Sequence, residues 1–176
     1  MTRRATIAAI STLAAISALG AFSPTVPPTT GARYQLLTKP VLTLDAARAV
    51  ADAGLARARD LDAGGAIAVV DDAGHLLYLA RIDGTFPAAS EVAHAKARTA
   101  AQFRRPTQDF ENAVKGGRNT LLAVALMTPL EGGVPIVVDG QIVGAVGVSG
   151  AHSSTEDVQV ATAAAAALAD ATTGSK

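Results

Sequence analysis

The sequence predicts an α+β domain: an antiparallel sheet built from two hairpins, with helices packed on it. Three observations carry that expectation. Apolar runs flank a turn signal at Asp71-Asp72-Ala73-Gly74 and a second at Asp139-Gly140. Stretches with apolar residues at helical spacing precede, separate and follow those hairpins. Hairpins join antiparallel neighbours, whereas a parallel sheet needs long crossover connections.

Thr43 is a natural N-cap for a first helix through about Asp60, because its hydroxyl can accept from a free N–H of the first turn. Leu44, Ala47, Val50, Ala51, Leu55 and Ala58 follow helical spacing, and Gly64-Gly65 ends the run. Ala66–Val70 and His75–Arg81 read as the strands of the first hairpin. Pro87 suits the first turn of a second helix, to about Phe103. Pro106 breaks the chain, and Thr107 is placed to cap a short helix through Val114. Leu121–Met127 is apolar and fits helix or strand. Val134–Val138 and Gln141–Val148 form the second hairpin around Asp139-Gly140. Ser153 with Glu156 has capping-box spacing for a last helix to about Ala169, before a disordered tail over 171–176.

Ahead of the domain at 43–170, Arg3-Arg4 precedes an uncharged, mostly apolar run to Phe22 that ends in small residues. That order is the pattern of a secretory signal, so residues 1–21 are read as a signal peptide and the protein as exported, periplasmic or secreted. An uncleaved anchor is the alternative; no membrane span is expected once the signal is removed. Residues 22–42 hold Pro24, Pro27, Pro28 and Pro40 among threonines and read as a linker or arm, since proline fixes φ and removes donors.

Hydrophobic residues make up 49% of the 176-residue chain, but aromatics only 3%, so small side chains must do much of the packing. Fifteen basic residues balance 15 acidic ones. Without Arg3 and Arg4 the balance tips slightly acidic, which is a poor footprint for nucleic acid, where clustered Lys and Arg neutralise phosphates. With no cysteine, disulfides, thiolate metal sites and a cysteine nucleophile are excluded. Gly147-Val148-Ser149-Gly150 is one residue short of the serine-hydrolase elbow, and no phosphate-binding loop follows Glu131-Gly132-Gly133. Glycines at Gly144, Gly147 and Gly150 are read as close backbone packing or a bulge.

The second helix carries the chemistry. Glu91, His94, Arg98 and Gln102 lie along one polar stripe; Val92, Lys96, Thr99 and Phe103 form another beside Ala93, Ala97 and Ala100. Glu91 and His94 share a face at i, i+3, which suits one metal or one ligand, and also suits a solvated pair. Lys96 sits among apolar or small residues, so it either snorkels outward or serves a partner. His75 beside its turn and His152 before the last helix read as ordinary loop histidines.

Ala66–Leu76 resembles the apolar-Val-Asp-x-x-Gly hairpin of a known family, and Arg81-Ile82-Asp83-Gly84 resembles the R-x-D-G that follows it. Lys96-Ala97-Arg98-Thr99-Ala100 is similar to its K-A-x-T-A. Gly132–Ile136 and Gly144–Gly150 are similar to its G-G-x-P-I and G-A-x-G-V-S-G. On these motifs, from about Leu42 to Leu168, the chain resembles the GlcG/HbpS family of haem-binding, haem-degrading proteins. The resemblance implies haem as cofactor, a homo-oligomer that is commonly an octamer, and in some members a sensor partner. It points to Thr99 of K-A-x-T-A, with His94, as candidate iron contacts. Lys96, Arg98, Arg104 and Arg105 are then candidates for the propionates. Two other readings stay open: an enzyme on a small organic or corrinoid-like molecule using Lys96 and Glu91 as acid and base, and a non-catalytic oligomeric sensory module.

Overall fold

A computed structural model describes residues 37–173, with side chains through 169. The expected export segment, and the arm up to residue 36, lie outside the described residues. The elements run α1 (Leu44–Asp60), β1 (Ala66–Asp71), β2 (Leu76–Arg81), α2 (Ala89–Phe103), α3 (Thr107–Lys115), β3 (Gly133–Val138), β4 (Gln141–Ser149) and α4 (Ser154–Thr173), with a short 3-10 helix at Asn119–Ala123. The two hairpins join into a four-stranded sheet of order β2-β1-β4-β3, antiparallel throughout.

The local signals act where the residues put them. Thr43 caps α1, its hydroxyl accepting from Ala46 N at 3.2 Å. In the first hairpin Asp71 Oδ1 accepts from the backbone N–H of Ala73 (2.9 Å) and of His75 (2.8 Å). Asp139 and Gly140 both adopt positive φ, 49° and 73°, the geometry a two-residue hairpin turn demands.

Elsewhere the structure corrects the expectation. Pro87 lies in a turn just before α2, which starts at Ala89 without a side-chain cap. His75 belongs to the turn, and β2 starts at Leu76. Thr107 is the first residue of α3 and does not cap it; its buried hydroxyl instead accepts from Gly133 N at 2.8 Å, fastening α3 to β3. Ser153 Oγ accepts from Glu156 N at 3.2 Å, but Glu156 turns back onto His152 N, one residue ahead of capping-box geometry. The Ala-rich α4 runs on to Thr173 rather than ending at Ala169; Ala is the best helix former, and no breaker intervenes.

Alternation along β1 divides the interior. Ile67 and Val69 face α1 and α4, packing with Val50, Ala51, Val146, Val148, Val160 and Ala164. Ala66, Ala68 and Val70 face α2, with Ala145 and the helix's own Ala93, Ala97 and Ala100. The sheet therefore lies between two helices on one face and one helix on the other. The first face mixes branched side chains with alanine, and the second is filled almost wholly by alanine.

Candidate functional site

The alanine-lined face brings α2 unusually near the strands. A Cβ on Gly147 would lie 2.1 Å from Ala93 O, and one on Gly133 would lie 2.5 Å from Lys96 O. Neither fits, so Gly133 of the G-G-x-P-I segment and Gly147 of the G-A-x-G-V-S-G segment are where the helix backbone rests on the sheet. With its Ala93–Ala97–Ala100 stripe pressed down, α2 has two flanks. Residues advance about 100° each, so side chains five apart point about 140° apart.

Lys96 and Thr99 share the flank towards β3 and α4. Lys96 is buried, and its ammonium donates to Asp157 Oδ2 and to Val148 O, each at 2.9 Å. Asp157 Oδ1 accepts from Ala151 N at 3.0 Å, so the carboxylate ties α2, the end of β4 and the first turn of α4 together. Gly132 completes the recess: a Cβ there would meet Lys96 Nζ at 3.0 Å and Val148 O at 2.8 Å. Thr99 is fully buried. Its hydroxyl donates to Ala95 O at 2.8 Å and accepts from Thr128 N at 2.9 Å, holding the end of the apolar 119–130 segment against α2.

His94 and Arg98 project from the other flank. This flank faces the first hairpin: Gly74 packs against Arg98 Cγ, and Gln102 Nε2 donates to Ala73 O at 2.9 Å. His94 Nε2 and Arg98 Nε are buried and have no hydrogen-bond partner. The neighbouring edge strand turns apolar side chains the same way, because Leu79 pairs with Ala68 and Leu76 with Val70, both on the α2 face. Leu76 and Leu79 are exposed there, as is Glu91 on the helix.

The sequence-derived candidates are thus split. His94 and Thr99 lie on opposite flanks and do not converge on one metal within this chain. Glu91 and Lys96, also five residues apart, form no acid–base pair. Lys96 neither snorkels nor reaches the surface. Arg104 closes α2 in a left-handed conformation, with φ 57°. Arg105 stacks its guanidinium 5.4 Å from the centre of the Phe110 ring. Both arginines are exposed beyond the end of α2, away from His94. Among the described residues no group of three or more His, Asp or Glu is placed to hold a metal ion.

Asp157 escaped the sequence reading, although a signal was present: Asp157, Val160, Ala161 and Ala164 form one buried stripe on α4. An acid on an apolar stripe calls for a buried cation, and Lys96 on α2 is its complement. Close by, Glu111 accepts from Glu131 N and pairs with Lys115 at 2.8 Å. Burial pushes the Glu111 carboxyl up, but Lys115, the Glu131 N–H and the charge on Lys96 outweigh it and hold the group below its ordinary value. Glu131 in turn accepts from Gln108 at 3.0 Å and from the Ser154 hydroxyl. In the first hairpin, burial likewise pushes Asp71 up, and the N–H groups and imidazole of its turn more than reverse the effect.

The profile of a family described as haem degrading protein HbpS-like matches residues 42–166. The chain belongs to the HbpS-like family. Protein GlcG of Escherichia coli K12 is 50% identical over 112 residues, covering 64% of this chain and 84% of GlcG. A crystal structure of HbpS superposes with a TM-score of 0.71 at 35% identity, covering 78% of this chain and 98% of that one. A crystal structure of a PduOC:heme complex superposes with a TM-score of 0.65 at 25% identity, covering 73% of this chain and 95% of that one. In this chain the motif glycines Gly133 and Gly147 mark where α2 touches the sheet.

Proposed function

We propose that this protein binds haem on the β2-facing flank of α2, with His94 as the iron contact and Arg98 as a propionate partner. The carrying observation is the buried, unpartnered Nε2 of His94. A buried polar atom without a partner costs free energy that a ligand recovers. Three facts support the reading: the family is described as haem degrading, the PduOC:heme complex is 25% identical to this chain, and the unpartnered Arg98 Nε lies one turn from His94. The residues fit the group. A neutral imidazole is a common axial ligand, a guanidinium matches a carboxylate, and Leu76 and Leu79 offer apolar surface to a macrocycle.

Bound haem would supply a redox-active iron. The chain's own residues would orient it through His94 and neutralise it through Arg98. Lys96 and Thr99 support the site by fixing α2 from its other flank. The reading of an acid–base enzyme on a small organic molecule is disfavoured, because the Lys96 ammonium is committed to Asp157 and lies on the opposite flank from Glu91. Arg3-Arg4 and the apolar run after it support an exported site of action, and the exposed Leu122, Leu126 and Leu130 support assembly into a homo-oligomer.

The test is a haem titration of the purified full chain followed at the Soret band. A saturable shift is expected at micromolar haem, lost in His94→Ala and retained in Thr99→Val. Absence of a shift in the parent protein, or its survival in His94→Ala, overturns the assignment. Native mass spectrometry of the same sample reads oligomer size and bound haem together.

A further inference from the structure

We infer a second ligand site, for a short zwitterionic peptide or a similar apolar molecule with a carboxylate at one end and an ammonium at the other. A cleft of about 700 Å³ opens between the C-terminal end of α1 and the end of edge strand β2. Its lining includes Ala80, which pairs with Ile67, so the cleft lies on the α1 side of the sheet, across from His94. Leu55, Ala63, Ala80 and Ile82 supply apolar surface.

Arg59, Asp62, Arg81 and Asp83 also line it, and among the described residues none of these four side chains makes an ion pair or hydrogen bond. Two exposed cations and two exposed anions around one half-polar cleft do not suit a dianion such as haem, whose propionates would meet Asp62 and Asp83. No histidine, methionine or tyrosine is present to hold iron. A ligand carrying both charges finds a complement for each. The loop beneath is already ordered: Gly65 N donates to the Thr85 hydroxyl at 2.8 Å, and Ile82 N to Gly65 O at 2.9 Å. The end of α1 adds partial negative charge beside Asp62, favouring the ammonium there. Strand β2 is also a sheet edge, whose outward backbone groups are open to an extended peptide.

The test uses calorimetric titration of the full chain with the tripeptide alanyl-leucyl-alanine, its N-acetyl form and its C-terminal amide. The free peptide is expected to bind, and each blocked form to bind about tenfold more weakly, the loss typical of one charged hydrogen bond. Arg59→Gln should weaken the free peptide about tenfold while barely affecting the amide. Asp62→Asn, which tolerates the local φ of 51°, should do the same with respect to the acetylated form. His94→Ala should bind peptide normally, so failure of the haem reading leaves this one standing. No peptide binding, equal binding of blocked and free peptides, or loss of the haem shift in Arg59→Gln overturns it.

Discussion

Lys96 Nζ lies 2.9 Å from Asp157 Oδ2, and the two side chains are only 4% and 8% exposed. The pair joins a helix on one face of the sheet to a helix on the other, through the gap at Gly132. Removing one partner strands a buried charge, which costs about 3–5 kcal/mol, whereas replacing both with apolar residues of similar volume is often neutral. Denaturant unfolding should therefore show Lys96→Met and Asp157→Leu each strongly destabilised, and the double variant much closer to the parent. Additive losses in the double variant would show that the pair carries no coupling.

Gly147 tests the close approach of α2. An added methyl meets Ala93 O at 2.1 Å and Ala97 N at 2.5 Å, both backbone atoms that cannot rotate away. Gly147→Ala should lose at least about 1–3 kcal/mol, the usual cost of overpacking, and lower Tm correspondingly. A thermal melt matching the parent would mean that the helix can lift from the sheet without cost.

Thr99 separates a supporting role from a ligand role. Thr99→Val keeps the shape but leaves the part-buried Thr128 N without its acceptor, at a cost of about 1 kcal/mol. Hydrogen exchange over residues 119–130 should quicken while the Soret shift persists. Loss of the shift with exchange unchanged would instead make Thr99 an iron contact.

Asp71 and Glu111 set an acid limit. Both carboxyls are held below their ordinary values in the folded chain. A depressed folded pKa contributes stability that is present above the unfolded pKa and lost as pH falls through the folded one. Stability should thus fall as pH drops through and below the ordinary carboxylate range. Asp71→Asn and Glu111→Gln should each flatten that fall in pH-dependent unfolding curves, and an unchanged slope in both would refute the assignment.

Much of the architecture was legible locally. Thr43 before an apolar stripe and Asp139-Gly140 between apolar runs each act through neighbours a few residues away. The turn at Asp71 is likewise closed by its own Ala73 and His75. Thr107 was misread because a hydroxyl at a helix start has a local use, while its actual partner, Gly133, lies 26 residues on. The 121–127 stretch was ambiguous for the same reason: its placement depends on Thr99, which periodicity does not register.

The sequence by itself determined the fold class, the two hairpins, the family resemblance and the small-residue motifs. Each of these is written in short-range spacing. Only the tertiary structure decided what the polar residues of α2 do. Once the alanine stripe is pressed onto the glycine-lined sheet, helical geometry sends His94 and Arg98 to one flank and Lys96 and Thr99 to the other. Lys96 then meets Asp157 across 61 residues of chain, because a buried ammonium must find an opposite charge and only the fold brings one within reach.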